Sequence, residues 1–112
     1  MFRLETLDTG VVLRVRTELD SSNGGHLTAL VTSIANDGTT MVTIDLRGCA
    51  YISAAIISLL VRLSRLHPHG FEVIVAPTGA VHRIFEVCGF LNGGTFVRVC
   101  HVMDGLGEVR EG

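Results

Sequence analysis

The sequence predicts an α/β fold: a mixed, largely parallel central sheet with helices packed on it, opened by a β-hairpin. Three observations carry this. Phe2–Leu7 and Val11–Arg16 alternate apolar and polar residues on either side of Asp8-Thr9-Gly10, which is turn chemistry. After residue 40, short β-branched runs alternate with segments of helical period. Each helix must then return the chain to the same end of the sheet, so successive strands run parallel.

The elements follow in order. In Val11-Val12-Leu13-Arg14-Val15-Arg16, Leu13 and Val15 share one face and Arg14 and Arg16 the other, which reads as a half-buried strand. Asp20-Ser21-Ser22-Asn23 offers several N-caps for a helix whose apolar stripe is Leu27, Leu30, Val31 and Ile34. Gly24 and Gly25 weaken its first turn, and Asn36-Asp37-Gly38 should close it. Met41–Leu46 is short, apolar and β-branched, the pattern of a strand buried on both faces between helices. Ser53 through Leu66 is helical, with Ile56, Leu59, Leu60 and Leu63 as its core stripe, and Pro68 and Gly70 stop it. Phe71–Ala76 is the next strand. Thr78 is the candidate cap of a third helix over Gly79–Cys88, with Val81, Ile84, Phe85 and Cys88 facing inward. Thr95–Cys100 is the last strand, and the polar, Gly-rich tail from about Asp104 should fray. The 112 residues make one domain, 1–112, with no internal repeat.

Composition narrows the function classes. With 47% hydrophobic residues the chain can build a core. A formal net charge of −2 is too acidic for binding nucleic acid through an overall field. The longest apolar stretch, Ala54 to Val61, is interrupted by Ser58 and stopped by Arg62, too short for a membrane span. Met1-Phe2-Arg3-Leu4-Glu5 lacks the apolar run of a signal peptide, so the expected location is cytoplasmic.

Catalytic parts are missing. There is no Lys, hence no phosphate loop ending in Lys-Ser or Lys-Thr, and no His-x-x-Glu-His or Cys-x-x-Cys. His67-Pro68-His69 reads as a solvated loop rather than a metal site, and no cofactor is implied. Cys49, Cys88 and Cys100 fit neither a zinc pattern nor a disulfide framework. They read as buried apolar side chains, with a redox-sensing pair as the sharper alternative.

Four motifs carry a resemblance. Ile44-Asp45-Leu46-Arg47-Gly48-Cys49-Ala50-Tyr51-Ile52 runs into Ser53-Ala54-Ala55-Ile56-Ile57. Glu18-Leu19-Asp20 precedes the first helix. Gly70-Phe71-Glu72-Val73-Ile74-Val75 and Val81 to Cys88-Gly89-Phe90 follow in order. Together they resemble the STAS domain family, anti-sigma factor antagonists in particular. There the central strand leads into Asp-Leu-x-Gly-x-x-Tyr/Phe-Ile-Asp-Ser-Ser/Thr-Gly-Leu, and the second Ser/Thr of the triplet is phosphorylated.

The resemblance implies a non-enzymatic regulator whose partner is an anti-sigma factor, a histidine-kinase-like ATPase. In this chain Ser53 stands at the family's Asp, Ala54 and Ala55 at its two Ser positions, and Ile56 at its Gly. No phosphorylation is therefore expected at Ala55, which has no hydroxyl. Ser53 is the substitute acceptor, but an N-cap is its ordinary role. The implied partner surface is Asp20, Ser53, Ala54, Ala55 and Ile57, with Arg62 and Arg65 as ionic contacts. Loss of the acceptor removes a switch that works by placing about two negative charges in a docking surface. The rival reading is a STAS-like scaffold or sensor subunit that self-associates as a homodimer, or binds a nucleotide or small ligand. An enzyme of unrecognised type is the third.

Overall fold

The computed structural model describes residues 2–8, 10–35, 41–68, 70–91 and 95–100, with the backbone of 102–103 and 109–110. Strands β1 (Phe2–Leu7) and β2 (Gly10–Val15) form the opening hairpin. Then come α1 (Gly24–Ile34), β3 (Met41–Asp45), α2 (Ala54–Leu66), β4 (Phe71–Val75), α3 (Ala80–Val87) and β5 (Val97–Val99). The sheet order is β1-β2-β3-β4-β5, with β1 antiparallel and every later pair parallel. This is the mixed, largely parallel sheet with an opening hairpin that the periodicity predicts.

Strand order equal to chain order has a consequence for layering. Each of the three crossovers steps one strand in the same direction, so a common right-handed sense puts all three helices on one face. Packing agrees. The core takes Leu13, Val15, Val42, Ile44, Val73, Val75 and Val97 from the sheet, a single alternate set. Against them lie Leu27 and Val31 of α1, Ile56, Leu60 and Leu63 of α2, and Val81 and Phe85 of α3. Gly24, which weakens α1 as a helix, earns its place in the packing: a Cβ there would stand 3.3 Å from Ile56 Cδ1 and 3.4 Å from Leu59 Cδ2.

Expectation and structure part at several points. The second face of β3 is not covered by a helix. Asp45 there is buried in an ion pair with Arg14, Thr43 is buried and donates to Glu72 at 3.2 Å, and Arg14, expected on a solvent face, is 7% exposed. Alternation tells which face a side chain takes, not whether that face is wet. Asn23 is the N-cap residue of α1, but its side chain does not cap. Its Oδ1 accepts from Asp20 N (3.0 Å) and its Nδ2 donates to the Glu18 carbonyl (2.9 Å). The close of α1 at Asn36-Asp37-Gly38 lies outside the described residues, as does His69.

Thr78 does not cap α3; Gly79 holds that position at φ 101°, a left-handed backbone that glycine takes without steric cost. Thr95 precedes β5 rather than opening it, its hydroxyl donating to the Phe90 carbonyl at 2.7 Å. Within the tail expected to fray, β7 (Val109–Arg110) pairs with β6 (Val102–Met103).

Cys88 is exposed, against the expectation that all three cysteines are buried. The cause is the end of α3. Gly89, at φ 82°, donates to the Glu86 carbonyl, and Phe90 N–H reaches back to the Phe85 carbonyl, each at 3.0 Å. This is a Schellman closure. Its apolar partner is Phe90, whose ring meets Phe85 edge-on at 6.2 Å, so Phe90 fills the space that Cys88 was expected to fill. None of the three cysteines is in a disulfide, and Cys49 and Cys100 are buried. Burial pushes the Cys49 thiol up, away from the reactive thiolate. A thiol reagent should therefore label Cys88 in the native protein and Cys49 and Cys100 only after unfolding. Mass spectrometry of labelled peptides checks this; rapid native labelling of Cys49 would contradict the packing.

Candidate functional site

Two loops at the carboxyl end of the parallel strands are zipped together. Leu19 and Ile52 form a parallel bridge: Leu19 N–H donates to the Tyr51 carbonyl and Ser53 N–H to the Leu19 carbonyl, each at 2.9 Å. Leu19 and Ile52 are fully buried beneath this pairing. The arrangement fixes Asp20 beside the start of α2.

The local chemistry is simple. Ser53 is extended (φ −88°, ψ 164°) and its Oγ accepts from Ile56 N–H at 3.4 Å, the N-cap geometry expected of it. Ala54 and Ala55 follow with their methyl groups exposed. No acidic residue lies in the first turn, so the positive end of the helix dipole meets only methyls and the cap. Asp20 is exposed and ordered by its own loop: Oδ1 accepts from Ser22 N–H (2.9 Å) and Ser22 Oγ (2.5 Å). The Ser22 hydroxyl and backbone hold its carboxyl below the ordinary carboxylate range. Tyr51 is 48% exposed alongside, and its carbonyl also receives the Cys49 thiol at 3.2 Å.

The predicted surface is thus only partly gathered. Asp20, Ser53, Ala54 and Ala55 come together. Ile57 does not belong with them: it is buried among the core residues of α2, because position 57 turns under the helix. Arg62 and Arg65 are exposed, but seven and ten residues beyond Ala55, about 10 and 15 Å along the axis. Arg65 instead lines a cleft of about 800 Å³ at the opposite end of the sheet, with Met41, Phe71, Glu72, Phe96 and Arg98.

Sequence reasoning missed the charged side of the sheet. Asp45 ends β3 and its carboxylate collects four donors. Arg47 N–H and Nε reach Oδ1, and Arg47 Nη2 reaches Oδ2, all at 3.0 Å. Arg14 Nη1 meets Oδ2 at 2.5 Å, and Arg14 Nε meets Glu5 at 3.0 Å. The Arg14, Asp45 and Arg47 side chains are 8%, 2% and 1% exposed. The buried arginines Arg14 and Arg47 thus face the carboxylates of Asp45 and Glu5, and the exposed Arg3 also lies 3.7 Å from Glu5. Arg14 Nη2 is buried there without a partner. An Asp in the central strand with an Arg at the adjacent position of the next strand was the available signal. Among the described residues no cluster of His, Cys, Asp or Glu is suited to a metal, and no helix is long and apolar enough to cross a membrane.

Comparison with known proteins gives consistent results. The family described as MlaB, STAS domain, matches residues 2–98. No individual curated protein matches by sequence. Among solved structures, a protein of Thermotoga maritima assigned as an anti-sigma factor antagonist superimposes with TM-score 0.73 at 19% identity, over 97% of this chain and 94% of its own. The anti-sigma factor antagonist SpoIIAA in its unphosphorylated form gives 0.60 at 18% identity, over 87% and 86%. The Bacillus cell fate determinant SpoIIAA in its phosphorylated form gives 0.64 at 18%, over 89% and 91%.

Proposed function

The chain belongs to the STAS domain family, and from that premise we propose that it is a non-enzymatic cytoplasmic regulator that docks on an anti-sigma factor through the start of α2 and so frees a sigma factor. One observation carries the reading. The exposed methyls of Ala54 and Ala55 open α2 beside Asp20, in a fold shared with anti-sigma factor antagonists. Small side chains let a partner's backbone approach closely, and Asp20 supplies a fixed charge at the rim. With Ala55 in place of a phospho-acceptor, the surface stays competent to bind whatever the kinase activity of its partner.

The test begins by identifying which histidine-kinase-like ATPase of the native cytosol is captured. Ala55→Glu is then compared with the parent against that purified partner. The variant should fold normally, since the first helical turn tolerates an acid. Binding should weaken by about 1–3 kcal/mol, roughly 5- to 150-fold, from an unpaired charge buried at the contact. Incubation with the partner and ATP should leave Ser53 and Ser58 unmodified by mass spectrometry. Equal affinity of parent and variant would remove this surface from the reading, and stoichiometric phosphate on either serine would restore a relocated switch.

A further inference from the structure

We propose that the open edge of β1 joins two copies of this chain in a symmetric antiparallel pair centred on Leu4, each Arg3 opposite Glu5 of the second copy. Among the described strands β1 pairs with β2 alone, so its outer edge presents unpaired N–H and C=O groups. Among the described residues no proline or bulge blunts that edge. Phe2–Leu7 contains no Pro and no Gly, and holds an unbroken six-residue register with β2.

The register of self-pairing follows from two constraints. Only every second residue of an edge strand turns its backbone groups outward. Two copies of one edge must therefore match residues of like parity, and the twofold axis falls on a residue. Centred on Arg3, the pair sets Arg3 against Arg3; centred on Glu5, it sets Glu5 against Glu5. Both place like charges directly opposite. Centred on Leu4, the pair sets two Arg3–Glu5 contacts either side of Leu4 against Leu4, with Phe2 opposite Thr6. This register turns the charges that would repel neighbouring registers into attractive pairs. An unrelated strand would have to bring that pattern with it, whereas a second copy always has it.

The side chains are placed for this. Leu4 is 50% exposed, and the Arg3 side chain is 67% exposed. Glu5 uses Oε1 for Arg14 at 3.0 Å and, more loosely, for Arg3 of its own chain at 3.7 Å, and no described contact uses Oε2. The helix flanking this edge is α1, whose His26 ring meets Phe2 at 5.0 Å. No Asp, Glu, Lys or Arg occurs in α1, and its exposed residues include Gly25, Ala29, Thr32 and Ser33. Charge depletion next to an open edge is the composition of an interface rather than of a solvated face. The edge lies on β1 and Ala55 on α2, so self-pairing and partner docking use different elements.

Sedimentation over a concentration series, with circular dichroism as the folding control, tests the pairing. The parent should be a dimer. Arg3→Glu should retain the fold and weaken dimerisation roughly 10- to 100-fold, because two attractive pairs become repulsive. Register is read by cross-linking in a Cys88→Ser background. Leu4→Cys lies opposite its own copy, within disulfide reach, and should cross-link under mild oxidation. Thr6→Cys lies about 14 Å along the strand from its copy and should not. A parent that stays monomeric at every concentration, an Arg3→Glu dimer as tight as the parent, or a Thr6→Cys cross-link as efficient as that of Leu4→Cys would each overturn the proposal.

Discussion

Asp45→Ala should destabilise the protein by about 3–5 kcal/mol, the cost of breaking a buried ion pair by removing one partner. The Asp45 carboxylate accepts three hydrogen bonds from Arg47 and one from Arg14, and all three side chains are almost wholly buried. Without it, the buried Arg14 and Arg47 guanidinium groups both lose the carboxylate that they share. The loss therefore exceeds that of an exposed pair such as Arg3–Glu5, where solvent screening leaves under about 1 kcal/mol. Urea denaturation should show a lowered midpoint with an unchanged slope. Replacing Arg14, Asp45 and Arg47 together by apolar residues of similar volume should recover much of the loss, since the whole cluster is close to neutral in net stability. If Asp45→Ala costs less than about 1 kcal/mol, the cluster is solvated in solution and the second face of the sheet is open to water.

That cluster marks the limit of what the sequence discloses. Period-two and period-3.6 patterns place an apolar side chain on the correct face, which is why Leu13, Val15, Ile44 and the stripe of α2 lie in the core as read. The same patterns do not tell whether a polar face is wet. Arg14 alternates with Leu13 and Val15 as a solvent-facing residue would, yet it is buried, because Asp45 on the neighbouring strand supplies its counter-charge. Ser53 was legible as a cap, since a serine ahead of an apolar helical run has a backbone N–H to satisfy.

Its closeness to Asp20 was not legible from either segment. It comes from the bridge between Leu19 and Ile52, 33 residues apart in sequence, and only the resemblance to a family pointed there. Ile57 and Cys88 show the opposite failure. Ile57 sits beside exposed Ala55 in the chain but turns into the core, while Cys88 is in phase with Val81 yet lies past the last helical turn, where the closure on Phe90 takes its place.

Gly10→Ala should cost about 3 kcal/mol, the upper end of the range for a strained backbone. The sequence offers Gly10 only as part of an Asp8-Thr9-Gly10 turn, but the structure gives it a second duty. Its φ of 152° is one that residues with a Cβ rarely adopt, and it opens β2 directly beside Met41, the first residue of β3. A Cβ at this position would stand 2.2 Å from the Met41 carbonyl oxygen and 2.9 Å from Met41 Cβ. The obstructing atoms are mostly backbone, so no rotamer change relieves the clash. Either the hairpin must tilt away from β3 or the ladder must open at Gly10 and Val11. Gly25→Ala is the matched control: it is a helical glycine with nothing within 4 Å of a new Cβ, and alanine there should stabilise by about 0.5–1 kcal/mol. Thermal or urea unfolding of the two variants beside the parent separates these cases. A Gly10→Ala protein as stable as the parent would mean that β2 and β3 do not approach this closely at their start, and the parallel register Gly10↔Met41 would have to be redrawn.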